Sequence, residues 1–390
     1  MFPRSIFSGQ SKLLYIYIAT VFVSFHVFLV SFINSSFLEQ QKLSYGQISL
    51  VFAAGSFVNL IIFLMFNGLA RRYDGRKLVS YFATISMVCL LALVMSNSLV
   101  LILIAFILHR AITPAITLGV DSLLEANSTD DTTGETRGLY LTIINLVVVF
   151  SPTLAGIIVA NFNYYSVYLI SAIMVLPLLW IIRSKFHHLK DYSIPKVDFW
   201  HSFKELWREK DLRKIYIVNL LLQLFFTWAT LYIPLYLLSL GFDWRELGLL
   251  FGIAVLPFVI LPFPVGVLAD RWWGEKELLV TGFVVLIVSL VAISLGGGTN
   301  FFFWVGVMFA TRIGAALIET MSDSYFFKKI GPSNNNLISA YRTTWPLGHV
   351  LGALFGAALL LFLSPRWIYS ALAILLLLGV MVSWRIEDTK

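Results

Sequence analysis

Asn67-Gly68-Leu69-Ala70-Arg71-Arg72-Tyr73-Asp74-Gly75-Arg76-Lys77 and Gly266-Val267-Leu268-Ala269-Asp270-Arg271-Trp272-Trp273-Gly274-Glu275-Lys276 align without a gap when the chain is shifted by 199 residues against itself. Leu, Ala, Arg, Gly and Lys coincide in the two passages. The same shift lays Ile16-Tyr17-Ile18 on Ile215-Tyr216-Ile217, Leu50 on Leu249 and Phe52 on Phe251, and a shift of 202 brings Arg110 to Arg312 and Asp121-Ser122 to Asp323-Ser324. Self-similarity at one long period is the mark of a duplicated structural unit.

The sequence around these loops is lipid-like in composition. Of 390 residues, 59% are hydrophobic and 13% charged, against roughly 45–50% and 25% for a soluble domain. Spanning helices need about 20 mainly apolar residues each, and such runs recur over approximately 13 to 37, 46 to 70, 78 to 97, 99 to 121, 138 to 161, 164 to 183, 213 to 239, 245 to 269, 277 to 295, 300 to 325, 337 to 363 and 366 to 384. Runs such as Leu359 to Leu363 and Ile374 to Val382 are apolar all round, which excludes the alternating strands of a barrel. The sequence therefore predicts an all-α integral membrane protein of twelve transmembrane helices in two six-helix halves. With six spans each, both halves start on the same side, making them parallel repeats. The halves are expected over 1–184 and 212–390, with a cytoplasmic linker over 185–211. The first span is too long for a signal-peptide core and lacks a small-residue cleavage site, so it reads as a retained helix. The lone Cys89 permits no intrachain disulfide.

The net charge of +7 raises nucleic acid as a partner, but its distribution points to lipid. With the N-terminus inside, only Lys42, Arg245 and Arg366 of the 28 Lys and Arg fall outside, and Arg110, Arg312 and Arg342 fall within spans. The positive-inside rule then places both termini in the cytoplasm and the protein in the cell membrane. Anionic lipid accounts for the basic surface without nucleic acid, and a monomer is expected. In the linker Phe199, Trp200, Phe203, Leu206 and Trp207 recur at helical spacing opposite His201, Lys204, Glu205 and Arg208. This predicts an amphipathic interfacial helix over roughly 198 to 209, with Phe199, Trp200, Phe203 and Trp207 on its buried side. A disordered tether is the bland alternative.

With its repeat, its twelve spans and these loops, the chain resembles the major facilitator superfamily over essentially its whole length. The family's loop signature is matched by Gly266, Leu268, Ala269, Asp270, Arg271, Gly274 and Lys276, with one extra residue before the second glycine. The first-half copy has Asn67 for the first glycine and Arg71 where the acid belongs, and keeps Arg72, Gly75, Arg76 and Lys77. Arg110 is similar to the family's span-four arginine, Arg137-Gly138 to the pair opening span five, and Ser151-Pro152 with Gly156 to an eroded form of an antiporter motif. The resemblance implies that spans one, four, seven and ten line a central cavity reached alternately from each side. It also implies that the loop acid Asp270 contacts the start of span five near Arg137-Gly138, a contact Arg71 cannot copy.

The residues point the same way. At 100° per residue Thr20, Ser24, Ser31 and Ser35 form one stripe on span one, and Asn219, Gln223 and Thr230 one on span seven. The shift of 199 superposes the two stripes, which polar residues lining a wet cavity would explain; packing between helices by small polar groups would also explain the hydroxyls. Arg110 and Arg312 read either as internally paired structural or gating groups or as substrate contacts. The expected gating set is Arg72, Arg76, Asp121, Arg137, Asp270, Arg271, Asp323 and Arg342. Glu319 lies on the face shared by Arg312 and Asp323 and has Thr117 as its first-half counterpart, which makes it the candidate for proton coupling; a static ion pair with Arg312 or Arg342 is the competing reading. His26 points away from the span-one stripe and reads as a helix contact. His187-His188 lack a third ligand for a metal, and Gly296-Gly297-Gly298 precedes no Lys-Ser or Lys-Thr, so it is a turn. No cofactor is expected. Without a phosphate-binding loop or a nucleophile, base and orienter set, the sequence argues against an ATP-driven pump and an enzyme. The expected function is alternating-access transport of a small molecule, foremost proton-coupled export of an amphipathic or drug-like solute. Uptake or facilitated diffusion of a metabolite, or a non-transporting sensor with the same fold, are the alternatives.

Overall fold

The computed structural model describes residues 11–128, 133–186, 199–330 and 335–387, and these form helices joined by short turns. The linker's central part, with His187 and His188, lies outside the described residues. In the first half α1 (Ser11–Ser31) and α2 (Asn34–Gln40) are followed by α3 (Tyr45–Arg72), α4 (Gly75–Met95), α5 (Leu99–Asn127), α6 (Thr133–Asn161) and α7 (Tyr164–Ser184). After α8 (Phe199–Arg208) come α9 (Lys210–Ser239), α10 (Trp244–Ala254), α11 (Pro257–Ile260), α12 (Pro262–Arg271), α13 (Glu275–Leu295), α14 (Phe301–Ile330), α15 (Asn335–Tyr341), α16 (Thr344–Leu359) and α17 (Ile368–Trp384).

Among the described residues ten helices are long and apolar enough to cross a membrane, counting Trp244–Arg271 as one, and Ile368–Trp384 is a shorter apolar helix. Three expected spans are interrupted. Span one turns at Phe32-Ile33 between α1 and α2, and span eleven divides into α15 and α16. Span eight divides into α10, α11 and α12, where Pro257 and Pro262 each open a new helix because proline has no N–H for the carbonyl a turn back.

The chain resolves into two compact units: the described residues of Met1–Ile33 with Ala54–Pro195, and those of Asn34–Ala53 with Lys196–Lys390. In the first unit Ile16, Val79, Ile116, Leu123, Val175 and Leu178, all buried, build one core across α1, α4, α5 and α7. His26 sits in this unit fully buried, its Nε2 2.9 Å from Ser86 Oγ and its Nδ1 3.0 Å from Ser171 Oγ. It ties α1 to α4 and α7.

In the second unit α9 is the central helix, and it packs on α16 through glycines. A Cβ at Gly348 would lie 2.4 Å from Gln223 Cβ, at Gly352 3.0 Å from Thr227 Cβ, and at Gly356 2.1 Å from the Tyr232 hydroxyl. The approach lets Trp228 Nε1 donate to the Gly352 carbonyl at 2.8 Å. Residues 34–53 join this unit through Ser49 and Tyr232, whose hydroxyls lie 2.7 Å apart, and through Ser35, whose hydroxyl is 3.4 Å from the Thr230 carbonyl.

The repeat extends to the turns. Lys42 and Gly241, which the shift of 199 superposes, both have left-handed backbones, with φ of 64° and 104°. Directly after each comes the same capping arrangement. Ser44 N–H donates to Gln47 Oε1 at 2.9 Å, and Asp243 N–H to Glu246 Oε2 at 3.0 Å, while each capping side chain accepts from the backbone three residues on.

Two stability measurements test this packing. A lysine at φ 64° carries steric strain that glycine does not, so Lys42→Gly is expected to raise stability by about 1 kcal/mol, read as a higher thermal midpoint of the detergent-purified protein. Gly356→Ala drives a methyl into the Tyr232 hydroxyl and is expected to cost about 1–3 kcal/mol. Gly306→Ala, with no atom within 4 Å of the new methyl, serves as the neutral control.

Candidate functional site

A cluster of buried polar side chains in the second unit gathers where α15 breaks into α16. Continuing the helix through Arg342-Thr343 would bring the ring of Pro346 against the turn before it; instead the chain turns at these two residues and restarts at Thr344. Two carbonyls at the break are taken up locally: Thr343 Oγ1 donates to Ala340 at 2.6 Å and Thr344 Oγ1 lies 2.8 Å from the Tyr341 carbonyl. Thr344 Oγ1 is also 2.8 Å from Asn219 Oδ1 on α9, and the Tyr216 hydroxyl is 2.9 Å from Thr343 Oγ1. Asn219 in turn donates from Nδ2 to Ser322 Oγ at 3.3 Å and accepts from Gln223 Nε2 at 3.4 Å. The Gln223 carbonyl oxygen is buried with no hydrogen-bond partner among the described residues.

On α14, Ser322 donates to the Glu319 carbonyl at 3.1 Å, and Asp323 accepts from the Tyr341 hydroxyl at 3.1 Å. Tyr341 is held by stacking on Phe326, with centroids 4.0 Å apart and 10° between planes. Glu319 lies one helical turn before Asp323, partly buried, and its carboxyl forms no ion pair or hydrogen bond among the described residues. The static bond to Arg312 or Arg342 is therefore not made. Arg312, 3% exposed, instead donates from Nη1 to Thr311 Oγ1 at 3.0 Å and sets its guanidinium 5.3 Å over the Phe225 ring.

The remaining candidates fall into two groups. Thr20 and Ser31 return their hydroxyls to their own helix, to Ile16 and Val27 carbonyls, both at 2.8 Å. Ser24 is 3% exposed, and Thr230 bonds back to Phe226 and Thr227, both at 3.2 Å. Arg110 lies along Gly55, where a Cβ would come within 2.9 Å of its Cδ. Next to it His109, 4% exposed, stands edge-on to His26 with centroids 5.3 Å apart, and its Nε2 has no hydrogen-bond partner among the described residues.

Asp121 meets Arg137 at 3.2 Å, and Asp270 meets Lys328 at 2.8 Å. Asp74 caps α4, accepting from Arg76 N–H at 2.9 Å, and its ion pair with the Arg76 side chain holds its carboxyl below the usual carboxylate range. Arg72 covers Tyr73 at 5.7 Å, and Arg271 and Arg342 are exposed.

Sequence reasoning missed Ser322, Tyr341, Thr343, Thr344 and His109. The repeat did not point to Tyr341, since shifts of 199 and 202 lay Arg137 on Asn336 and Ser339. Asp121 on α5 bonds Arg137 in one half, and Asp323 on α14 bonds Tyr341 in the other, the partners being 16 and 18 residues apart.

Helices of this number and length, duplicated and carrying polar groups at membrane depth, define a polytopic membrane carrier. The model of the Major Facilitator Superfamily matches residues 16–340 and 245–390, and the chain belongs to that family. No curated protein matches the sequence. Among solved structures, the POT family transporter PepTSo is similar with a TM-score of 0.80 and 10% identity, over 96% of this chain and 97% of that one. A peptide transporter POT solved with sulfate is similar at 0.78 and 12%, over 97% and 94%. The nucleoside transporter NupG is similar at 0.75 and 13%, over 97% and 100%. At these identities the likeness is one of fold.

The Tyr341–Asp323 bond is testable alone. Tyr341→Phe keeps the stacking on Phe326 and removes a hydrogen bond to a carboxylate, so thermal unfolding in detergent is expected to register a loss of about 1–3 kcal/mol.

Proposed function

We propose that this secondary transporter moves a small organic solute by coupling it to protons, with Glu319 as the proton-carrying group. The observation that carries the reading is the Glu319 carboxyl, partly buried on α14 and without an ion pair or hydrogen bond among the described residues. A carboxylate at membrane depth is costly unless paired or wet. One bound permanently to arginine would stay ionised through the cycle. Without that bond its protonation follows its surroundings, and a group whose surroundings differ between two conformations links a proton to the change between them.

The neighbouring groups favour a solute able to form hydrogen bonds. Ser322, one turn from Glu319, and Asn219 and Gln223, joined to Ser322 from α9, offer hydroxyl and amide contacts, and Gln223 Oε1 is an acceptor with no donor among the described residues. Peptide and nucleoside carriers among the fold neighbours handle polar solutes of this kind. Export is the direction proposed first, with uptake or facilitated diffusion as the alternative, and the assay that tests coupling also reads direction.

In proteoliposomes supplied with the solute identified by a binding screen, flux is expected to rise with an imposed pH gradient. Glu319→Gln is expected to abolish gradient-driven accumulation and leave solute exchange at equal concentrations largely intact. Accumulation by the variant at the parent's level, at every pH, sinks the proposal.

A further inference from the structure

A cleft of about 570 Å³ opens between α8, the start of α9, the end of α14 and α15, and shares no lining residue with the polar cluster at the α15–α16 break. Its α8 wall is fixed. Ser202 and Leu206 are buried against the protein, and Phe199, Phe203 and Trp207 stack in series at 6.0 and 5.9 Å, with Phe203 and Trp207 also meeting Tyr216 of α9. Trp200 stays 68% exposed and Trp207 43%. Leu206 and Ser202 take the protein side of α8, so Trp200 has no protein cover, and a tryptophan so placed suits the headgroup level of a bilayer.

The cleft is lined by charges of both signs in two rows one helical turn apart: Lys204 with Arg208, and Glu205 with Glu209. Across from them Lys329 is committed to Asp211, 3.2 Å away, which also takes Lys214 at 2.9 Å. Lys204, Arg208 and Glu209 form no ion pair among the described residues. One end of the cleft is apolar, formed by Leu212, Ile330 and Leu337.

We propose that this cleft binds the headgroup of a phospholipid with a primary amine, phosphatidylethanolamine in its simplest form. Arg208 and Lys204 hold the phosphodiester, the arginine through paired N–H donors. The ammonium donates to Glu209 and Glu205, and the glycerol end runs toward Leu212 and Ile330. A purely anionic headgroup would set its charge beside two carboxylates. A quaternary ammonium has no N–H to give them, and among the described lining residues the only ring is the His201 imidazole, with no Trp, Tyr or Phe to receive such a cation.

The test is lipid retention by the full chain, purified and stripped in detergent, measured by native mass spectrometry and by lipid-dependent thermal shift. Phosphatidylethanolamine, phosphatidylglycerol and phosphatidylcholine of matched acyl chains are compared with soluble glycerophosphoethanolamine. The parent is expected to retain phosphatidylethanolamine about tenfold over phosphatidylcholine. K204E with R208E is expected to remove that preference. E205Q with E209Q is expected to weaken phosphatidylethanolamine and spare phosphatidylglycerol. K204E with R208E should melt like the parent without lipid, since both side chains are exposed, and retention by E205Q with E209Q is read against that variant's own lipid-free melting. Equal or better retention of phosphatidylglycerol, unchanged retention in both double variants, or soluble headgroup binding as well as the lipid would each overturn the proposal. None of these readouts depends on transport, so failure here leaves the proton-coupling proposal to its own assay.

Discussion

A polypeptide inside hydrocarbon has no water to satisfy its backbone, so every break in a spanning helix must supply its own hydrogen-bond partners. This constraint places the candidate site. Span eleven breaks at Arg342-Thr343, and the hydroxyls of Thr343 and Thr344 cover carbonyls left open there. Those hydroxyls need a polar neighbourhood, which Asn219, Tyr216 and Ser322 provide from α9 and α14. The cluster is thus both the repair of a helix break and a place where amide, hydroxyl and carboxyl groups converge.

The two halves keep the same local devices and spend them differently. Left-handed turns at Lys42 and Gly241 and the capping boxes behind them are retained at both copies because they set the angle at which one span hands over to the next. The acid closing the fourth helix of each half is retained too, but its partner has changed from Arg137 to Tyr341.

The fold was legible in the sequence because duplication and hydropathy are both long-range patterns that survive local irregularity. The family followed from the loop around Asp270 and its weaker copy. The site was only partly legible. Asn219 and Gln223 are large amides on a helix otherwise apolar, and periodicity alone marks them. Thr20 and Ser31 look identical by that criterion, yet their hydroxyls bond back to their own turns, which a helix permits to any Ser or Thr. Thr343, Thr344 and Tyr341 escaped because their roles depend on where span eleven breaks, which Pro346 hints at but does not fix. His109 escaped because its significance comes from His26, on another helix.

The glycines of α16 have a consequence for how this protein can change. Gly348, Gly352 and Gly356 admit no added carbon without displacing Gln223, Thr227 or Tyr232, so that face of α16 is closed to mutation while the facing residues of α9 must keep their sizes. New solute preferences are therefore expected to arise from substitutions at Ser322 or beside Glu319 on α14, since α9 and α16 can vary there only in concert. Adaptation in such a protein is channelled through one helix of the three that surround the cluster.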